Sequence, residues 1–215
     1  PLRDLRISVT DRCNLRCGYC MPAEIFGPDY PFLKKSQLLD FDEIIKLCRL
    51  FVQCGVEKIR LTGGEPLLRP GLADLIERLV DVDGVEDLAL TTNGLNLSDC
   101  AEQLQASGLQ RVSVSLDTLS KEVALRLNGR SDTVERALEG IFAAQKAGLE
   151  TKVNAVVKRG LNDDEILPLA RRFKGTGITL RFIEFMDVGN HNGWALEEVM
   201  SSKEILARLQ GEFDL

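Results

Sequence analysis

The chain has 215 residues, 44% of them hydrophobic, enough for one large domain with a sizeable core. Its net charge of −6 has the wrong sign for a general nucleic-acid surface, although a few converging Arg and Lys can still hold a small anion. No run of about 18 apolar residues is present and no basic segment leads an apolar one, so neither a membrane span nor a signal peptide is predicted.

Short β-branched runs alternate with amphipathic stretches. Strands are predicted over residues 5–9, 58–61, 87–91, 111–116, 151–157 and 178–184. Helices are predicted over 42–53, 71–80, 97–107, 133–147 and 163–174, with Asp163 as an N-cap and Gly108 and Gly148 as stops. This rhythm predicts an α/β fold with a parallel sheet and right-handed crossovers. A partial (β/α)6 TIM-type barrel over residues 1–215 is the expectation, with a doubly wound open sheet as the alternative. The chain starts at Pro1, and its last residues read like the interior of a fold, so a piece of a longer protein is expected.

Side chains alternate between faces along a strand. Leu5, Ile7 and Val9 oppose Arg6 and Ser8; Ile59 and Leu61 oppose Arg60 and Thr62. Leu88 and Leu90 oppose Ala89, Thr91 and Asn93; Val112, Val114 and Leu116 oppose Arg111, Ser113 and Ser115; Val153, Ala155 and Val157 oppose Lys152 and Asn154. Parallel strands covered on both faces usually read as continuous apolar runs. Here a polar face recurs strand after strand, which predicts a ligand- and water-lined interior; a two-layer sheet with one solvated face is the bland alternative.

Cys13, Cys17 and Cys20 follow the first strand with C-x3-C-x2-C spacing. A closed tetrahedral metal site needs four protein ligands, and iron–sulfur clusters are usually held by four thiolates. Three thiolates leave one metal position open, which suits a cluster that performs chemistry. Gly63-Gly64-Glu65-Pro66 follows the second strand, Thr91-Thr92-Asn93-Gly94 the third, Ser115-Leu116-Asp117 the fourth and Glu184-Phe185-Met186-Asp187 the sixth. In β/α barrels this strand end carries the active site. Gly63 and Gly64 allow close backbone approach to a ligand or positive φ, and Glu65 offers a carboxylate for an ammonium group. Cys48 is expected in the core, and Cys54 and Cys100 have no partner at ligand spacing. His191 could complete a Cys3His zinc site but reads more simply as part of a surface turn, with Trp194 as packing.

The cysteine motif, with Tyr19 before its third cysteine, resembles the signature of radical S-adenosylmethionine (SAM) enzymes, and Gly63-Gly64-Glu65-Pro66 resembles their glycine-rich motif. The stretches Leu5-Arg6-Ile7-Ser8-Val9-Thr10-Asp11-Arg12-Cys13-Asn14, Lys58-Ile59-Arg60-Leu61-Thr62, Leu90-Thr91-Thr92-Asn93-Gly94 and Arg181-Phe182-Ile183-Glu184-Phe185-Met186 are similar to one branch, the GTP 3′,8-cyclases of molybdenum cofactor biosynthesis. The resemblance implies a [4Fe–4S] cluster on Cys13, Cys17 and Cys20. It implies SAM contacts at Tyr19, Gly63, Gly64, Glu65, Ser115 and Met186, and GTP contacts at Arg6, Arg60, Thr91 and Lys152. The implied chemistry is one-electron cleavage of SAM, hydrogen abstraction from the ribose 3′ carbon by a 5′-deoxyadenosyl radical, and closure onto carbon 8 of guanine.

The resemblance also implies a second three-cysteine [4Fe–4S] cluster and further arginines, expected only in the full-length protein, since no cysteine follows Cys100. These residues alone are therefore expected not to turn over GTP. It implies an unidentified electron donor, a full-length homodimer, a downstream cyclic pyranopterin monophosphate synthase, a cytoplasmic setting, and no nucleic-acid or membrane partner. Two rivals remain: a different radical SAM enzyme such as a peptide-modifying maturase, which has no need of the inward cations, and a zinc-stabilised binding module without catalysis.

Overall fold

The structure, a computed structural model, describes residues 2–188 and 193–214, so the zinc reading of His191 lies outside the described residues. The strands are β1 (Asp4–Ser8), β2 (Lys58–Thr62), β3 (Asp87–Thr92), β4 (Arg111–Ser115), β5 (Glu150–Val157) and β6 (Thr179–Glu184). They form one six-stranded sheet in the order β1-β2-β3-β4-β5-β6, and the pairs described are parallel. Helices α1 (Phe41–Gln53), α2 (Leu72–Val80), α3 (Ala101–Ala106), α4 (Lys121–Asn128), α5 (Thr133–Lys146), α6 (Ile166–Phe173) and α7 (Ser202–Gln210) alternate with them. A doubly wound sheet reverses its strand order at a switch point. This order has no reversal, which is the topology of a partial (β/α)6 barrel and removes the open-sheet alternative.

The chain divides into two compact units. The first comprises Pro1–Asn14, Pro31–Val114 and Leu138–Thr151. Its helix α1 opens on a reciprocal capping box: Asp40 accepts from the Glu43 N–H, and Glu43 accepts from the Asp40 N–H, each at 2.8 Å. The helix then buries Ile44, Ile45 and Cys48 on one stripe, so Cys48 is core as expected. Helix α2 buries Leu72, Leu75, Ile76 and Leu79, the i, i+3, i+4, i+7 pattern. Ile59, Leu61, Leu88, Leu90, Val112 and Val114 are buried in the strands, each contributing about 1.5–3 kcal/mol by leaving water. The opposite residues Arg60, Thr62 and Thr91 are half-buried, as the alternation predicts. Near the start of the strands, Asp87 closes an ion cluster with Lys58 at 2.9 Å and Arg111 at 2.6 Å.

The second unit comprises Leu15–Tyr30, Ser115–Ala137 and Lys152–Leu215. Along β5, Val153, Ala155 and Val157 are buried while Lys152 and Asn154 are half-buried. Val157, Ile166, Met200 and Ile205 form a buried cluster with Phe182 and Leu209 against it. Helix α7 starts on a capping box of Ser201 and Glu204.

Several boundaries differ from the sequence expectation. Asp163 does not cap a helix side-on: a 3-10 turn spans Asp163–Glu165, α6 begins at Ile166, and the Asp163 carboxylate instead accepts from the Gly160 N–H at 2.7 Å and pairs with Arg208 at 2.9 Å. The helix expected from residue 97 begins at Ala101. Helices α4 and α7 lie where none was predicted. Gly108 and Gly148 do end helices, with φ of 95° and 91°, a region open to glycine at no steric cost.

Candidate functional site

In the first unit, the chain leaving β1 is clamped by the loop after β2. The Gly64 N–H donates to the Thr10 carbonyl and the Glu65 N–H to the Arg12 carbonyl, both at 2.7 Å. A Cβ on Gly63 would stand 2.5 Å from the Thr10 oxygen, and one on Gly64 2.3 Å from the Arg12 oxygen. Neither glycine has positive φ. These glycines thus make room for the protein's own cysteine-bearing loop, a different reason from the ligand approach or positive φ expected from sequence. A Cβ at Gly63 would displace the backbone three residues ahead of Cys13, and one at Gly64 the residue directly before it.

Glu65, only 1% exposed, is wired into the same loops. It accepts from the Thr92 hydroxyl at 2.6 Å, the Asn93 N–H at 2.7 Å and the Leu67 N–H at 3.0 Å. Burial raises its pKa, and the three hydrogen bonds oppose the rise. A carboxylate offers about four acceptor positions, and three of those on Glu65 serve the fold. Asn93, which sequence reasoning did not select, points its amide nitrogen at Asn14 Oδ1, 2.7 Å away, and Cys13 Sγ, 3.9 Å away. Its sequence signals are its place on the polar face of the third strand and the Asn-Gly turn that follows.

The residues of this unit that the resemblance assigns to GTP share the polar strand face. Arg6 and Arg60 are direct register partners on neighbouring strands. Arg6 is exposed and Arg60 half-buried. Thr91 Oγ1 is buried and finds no protein hydrogen-bond partner, the mark of a polar atom awaiting a ligand or water. Arg111, on the same face, is already engaged by Asp87.

In the second unit, the cysteine loop folds around Cys17, whose carbonyl accepts from the Cys20 N–H at 2.9 Å and the Met21 N–H at 2.8 Å. Arg16 and Gly18 donate their N–H groups to the carbonyls of Asn128 and Leu127 at 3.4 and 3.0 Å. These are among the last carbonyls of α4, which have no partner within the helix. Between the two cysteines, the Tyr19 hydroxyl donates to Asp117 Oδ2 at 2.7 Å, and Asp117 Oδ1 accepts from the Val156 N–H at 2.9 Å. Asn162, 2% exposed, donates to the carbonyls of Asp117 and Val156, both at 2.8 Å. Desolvation pushes the Asp117 carboxyl up to about 6, against the lowering effect of Tyr19 and Val156. Desolvation and the neighbouring Asp117 charge push the Tyr19 phenol well above its ordinary value, so it stays a donor. Asp117 was not selected from sequence either; it looks like any acidic residue ending a strand.

Ser115 is half-buried at the end of β4, Lys152 half-buried on β5, and Met186 is 55% exposed beyond β6. Trp194 donates its indole N–H to the Phe185 carbonyl at 3.1 Å. Cys13, Cys17 and Cys20 form no disulfide, and neither do Cys54 and Cys100 outside the motif. Among the described residues, no three His, Cys, Asp or Glu side chains form a group that could hold a metal ion. A cubane needs its thiolates to face one cluster but spaces them more widely than a single ion does, because each takes a different iron. Three soft thiols outside any disulfide within one short loop, clamped on its N-terminal side by Gly64 and Glu65, fit an iron–sulfur cluster.

Comparison with known proteins gives the family. Residues 7–173 match the family model described as the radical SAM superfamily. The chain is 50% identical over its full 215 residues to a protein named GTP 3′,8-cyclase from Staphylococcus carnosus, and 48% identical to the Staphylococcus aureus protein of that name. It spans 63% of the length of these curated relatives. Among solved structures it is similar to Streptococcus suis SuiB bound to S-adenosylmethionine, with TM-score 0.72 and 17% identity over 96% of this chain and 46% of that one. It is also similar to anSMEcpe with bound AdoMet, with TM-score 0.67 and 21% identity over 87% and 52%. At these identities the structural neighbours speak for the fold alone. Taken with the cysteine loop and the glycine clamp beneath it, the family match shows that this chain belongs to the radical SAM superfamily.

Proposed function

We propose that this chain is the cluster- and SAM-binding part of a GTP 3′,8-cyclase. The observation that carries this reading is the 50% identity across all 215 residues to a protein of that name. The local chemistry supports it: a three-thiol loop for an iron–sulfur cluster and two cations in register on the polar strand face for a polyphosphate.

Cys13, Cys17 and Cys20 hold the cluster. Tyr19, Gly63, Gly64, Glu65, Ser115 and Met186 face SAM, with Glu65 giving its remaining acceptor position to the ammonium group. Arg6, Arg60 and Lys152 hold the phosphates of GTP: each Arg offers a planar bidentate fork and Lys a point charge. Thr91 hydrogen-bonds the same ligand through its otherwise unpartnered hydroxyl. When bound, the cluster and SAM together supply the radical that removes hydrogen from the substrate ribose. The chain's own residues hold ribose and base in reacting geometry and keep water away, the protein's share in cofactor enzymes. The second cluster, the homodimer, the electron donor and the downstream synthase belong to the same proposal.

Arg60→Ala tests it. Losing one charge-assisted fork costs about 1.5–3 kcal/mol, so GTP should bind at least about 10-fold more weakly to anaerobically reconstituted protein. SAM cleavage in the absence of GTP should persist. Unchanged GTP affinity would favour a different radical SAM substrate.

A further inference from the structure

The side chain of Asn93 is oriented from both ends. Its backbone N–H is fixed on buried Glu65 Oε2 at 2.7 Å, and its Oδ1 accepts from the Leu95 N–H at 3.1 Å. An amide whose oxygen is held this way must turn its NH2 the other way, so the nitrogen facing the cysteine loop is set by the network. That NH2 has two hydrogens and two acceptors in reach: Asn14 Oδ1 at 2.7 Å and Cys13 Sγ at 3.9 Å. In the metal-free chain, the Cys13 thiol also lies 4.0 Å from Asn14 Oδ1 and can donate to it. A thiolate bound to iron has no proton to give and only accepts. Asn14 then keeps one hydrogen of the Asn93 amide, and the Cys13 sulfur takes the other.

We infer that Asn93 is a positioning residue for Cys13, and that its amide N–H hydrogen-bonds the ligating sulfur and raises the reduction potential of the iron–sulfur cluster. This rests on the reading of Cys13 as a cluster ligand. The reason is electrostatic: a donor to the sulfur favours the reduced cluster, which carries one more negative charge, and hydrogen bonds to sulfur are among the factors that set cluster potentials. Glu65, Thr92 and Leu95 hold the amide in place and so maintain the effect.

The test is a redox titration followed by electron paramagnetic resonance, on the full chain reconstituted anaerobically with iron and sulfide. Asn93→Asp keeps the shape and the acceptor for the Leu95 N–H but removes both N–H donors. Asn93→Ala removes the side chain. Both are expected to lower the midpoint potential, Asp more than Ala because it adds negative charge beside the sulfur. Asn14→Ala, which frees the Asn93 donor, is expected not to lower it. Should Asn93→Ala not fold, as judged by far-ultraviolet circular dichroism, Asn93→Asp carries the test alone. Variants that hold the full iron content at an unchanged potential overturn the inference. Failure of the wild-type chain to assemble a cluster is a separate result and overturns the cluster reading beneath it.

Discussion

Replacing Tyr19 by Phe removes one oxygen and leaves the ring in place. The lost bond ran 2.7 Å to Asp117, a carboxylate also held by the Val156 N–H at 2.9 Å. A hydrogen bond to a charged group is worth about 1.5–3 kcal/mol, a neutral one about 0.5–1.5 kcal/mol. Which applies depends on pH. Burial lifts Asp117 from an ordinary 3.8 to about 6. Between those values the unfolded chain releases this proton while the folded chain keeps it. The site therefore favours the fold most below pH 4, and about 3 kcal/mol of that is withdrawn as pH climbs through 6. The Tyr19 hydroxyl limits the withdrawal, because it favours the charged carboxylate. Tyr19→Phe should consequently lose about 1.5–3 kcal/mol at pH 8 and only about 0.5–1.5 kcal/mol at pH 5. For a chain of this length, 1 kcal/mol moves the melting temperature by about 2–4 °C. Thermal unfolding of the metal-free chain by circular dichroism should show drops of roughly 3–12 °C at pH 8 and roughly 1–6 °C at pH 5. The double variant with Asp117→Asn should lose less than the sum of the single changes. Equal drops at both pH values, or none at pH 8, would refute the assignment of a charged acceptor to this bond.

Gly64→Ala should destabilise the chain by about 1–3 kcal/mol or more through overpacking, since its Cβ meets the Arg12 carbonyl at 2.3 Å; calorimetry checks this, and a neutral change would mean that the loops part easily. Cys17→Ser should abolish the visible absorption of the reconstituted cluster, while Cys54→Ser, exposed and outside the motif, should leave iron content and spectrum unchanged. Ser201→Ala should cost about 1 kcal/mol in chemical denaturation by removing the N-cap of α7, and an effect below a few tenths would show that the helix end frays regardless.

The strand rhythm was legible because parallel pairing preserves the period-two alternation: Ile59 and Leu61 are buried, and Arg60 between them is not. The same reasoning placed Arg6, Arg60 and Thr91 on one face. Helix α7 could have been read from Ser201 and Glu204 at capping-box spacing, and α4 from Ser120 at its start and Gly129 at its end. Asp163 misled because its carboxylate had a better partner in Arg208, 45 residues away. Long-range partners hid the supports of the site in the same way. Tyr19 and Asp117 are 98 residues apart, and Asn93 and Cys13 are 80 apart. No local pattern records such pairs. Gly63 and Gly64 were visible as glycines, but what fills the space above them is the carbonyls of Thr10 and Arg12, which only the folded backbone reveals.

Placing Arg6 directly opposite Arg60 sets two positive side chains on adjacent strands, about 4.8 Å apart along the hydrogen-bonding direction. Like charges opposed in this way strain a sheet. Exposed Arg6 therefore adds its charge beside that of half-buried Arg60, and dissolved salt, with a screening length of about 8 Å at physiological strength, weakens their repulsion. Tolerance of heat should accordingly increase with ionic strength, and Arg6→Gln should flatten that dependence.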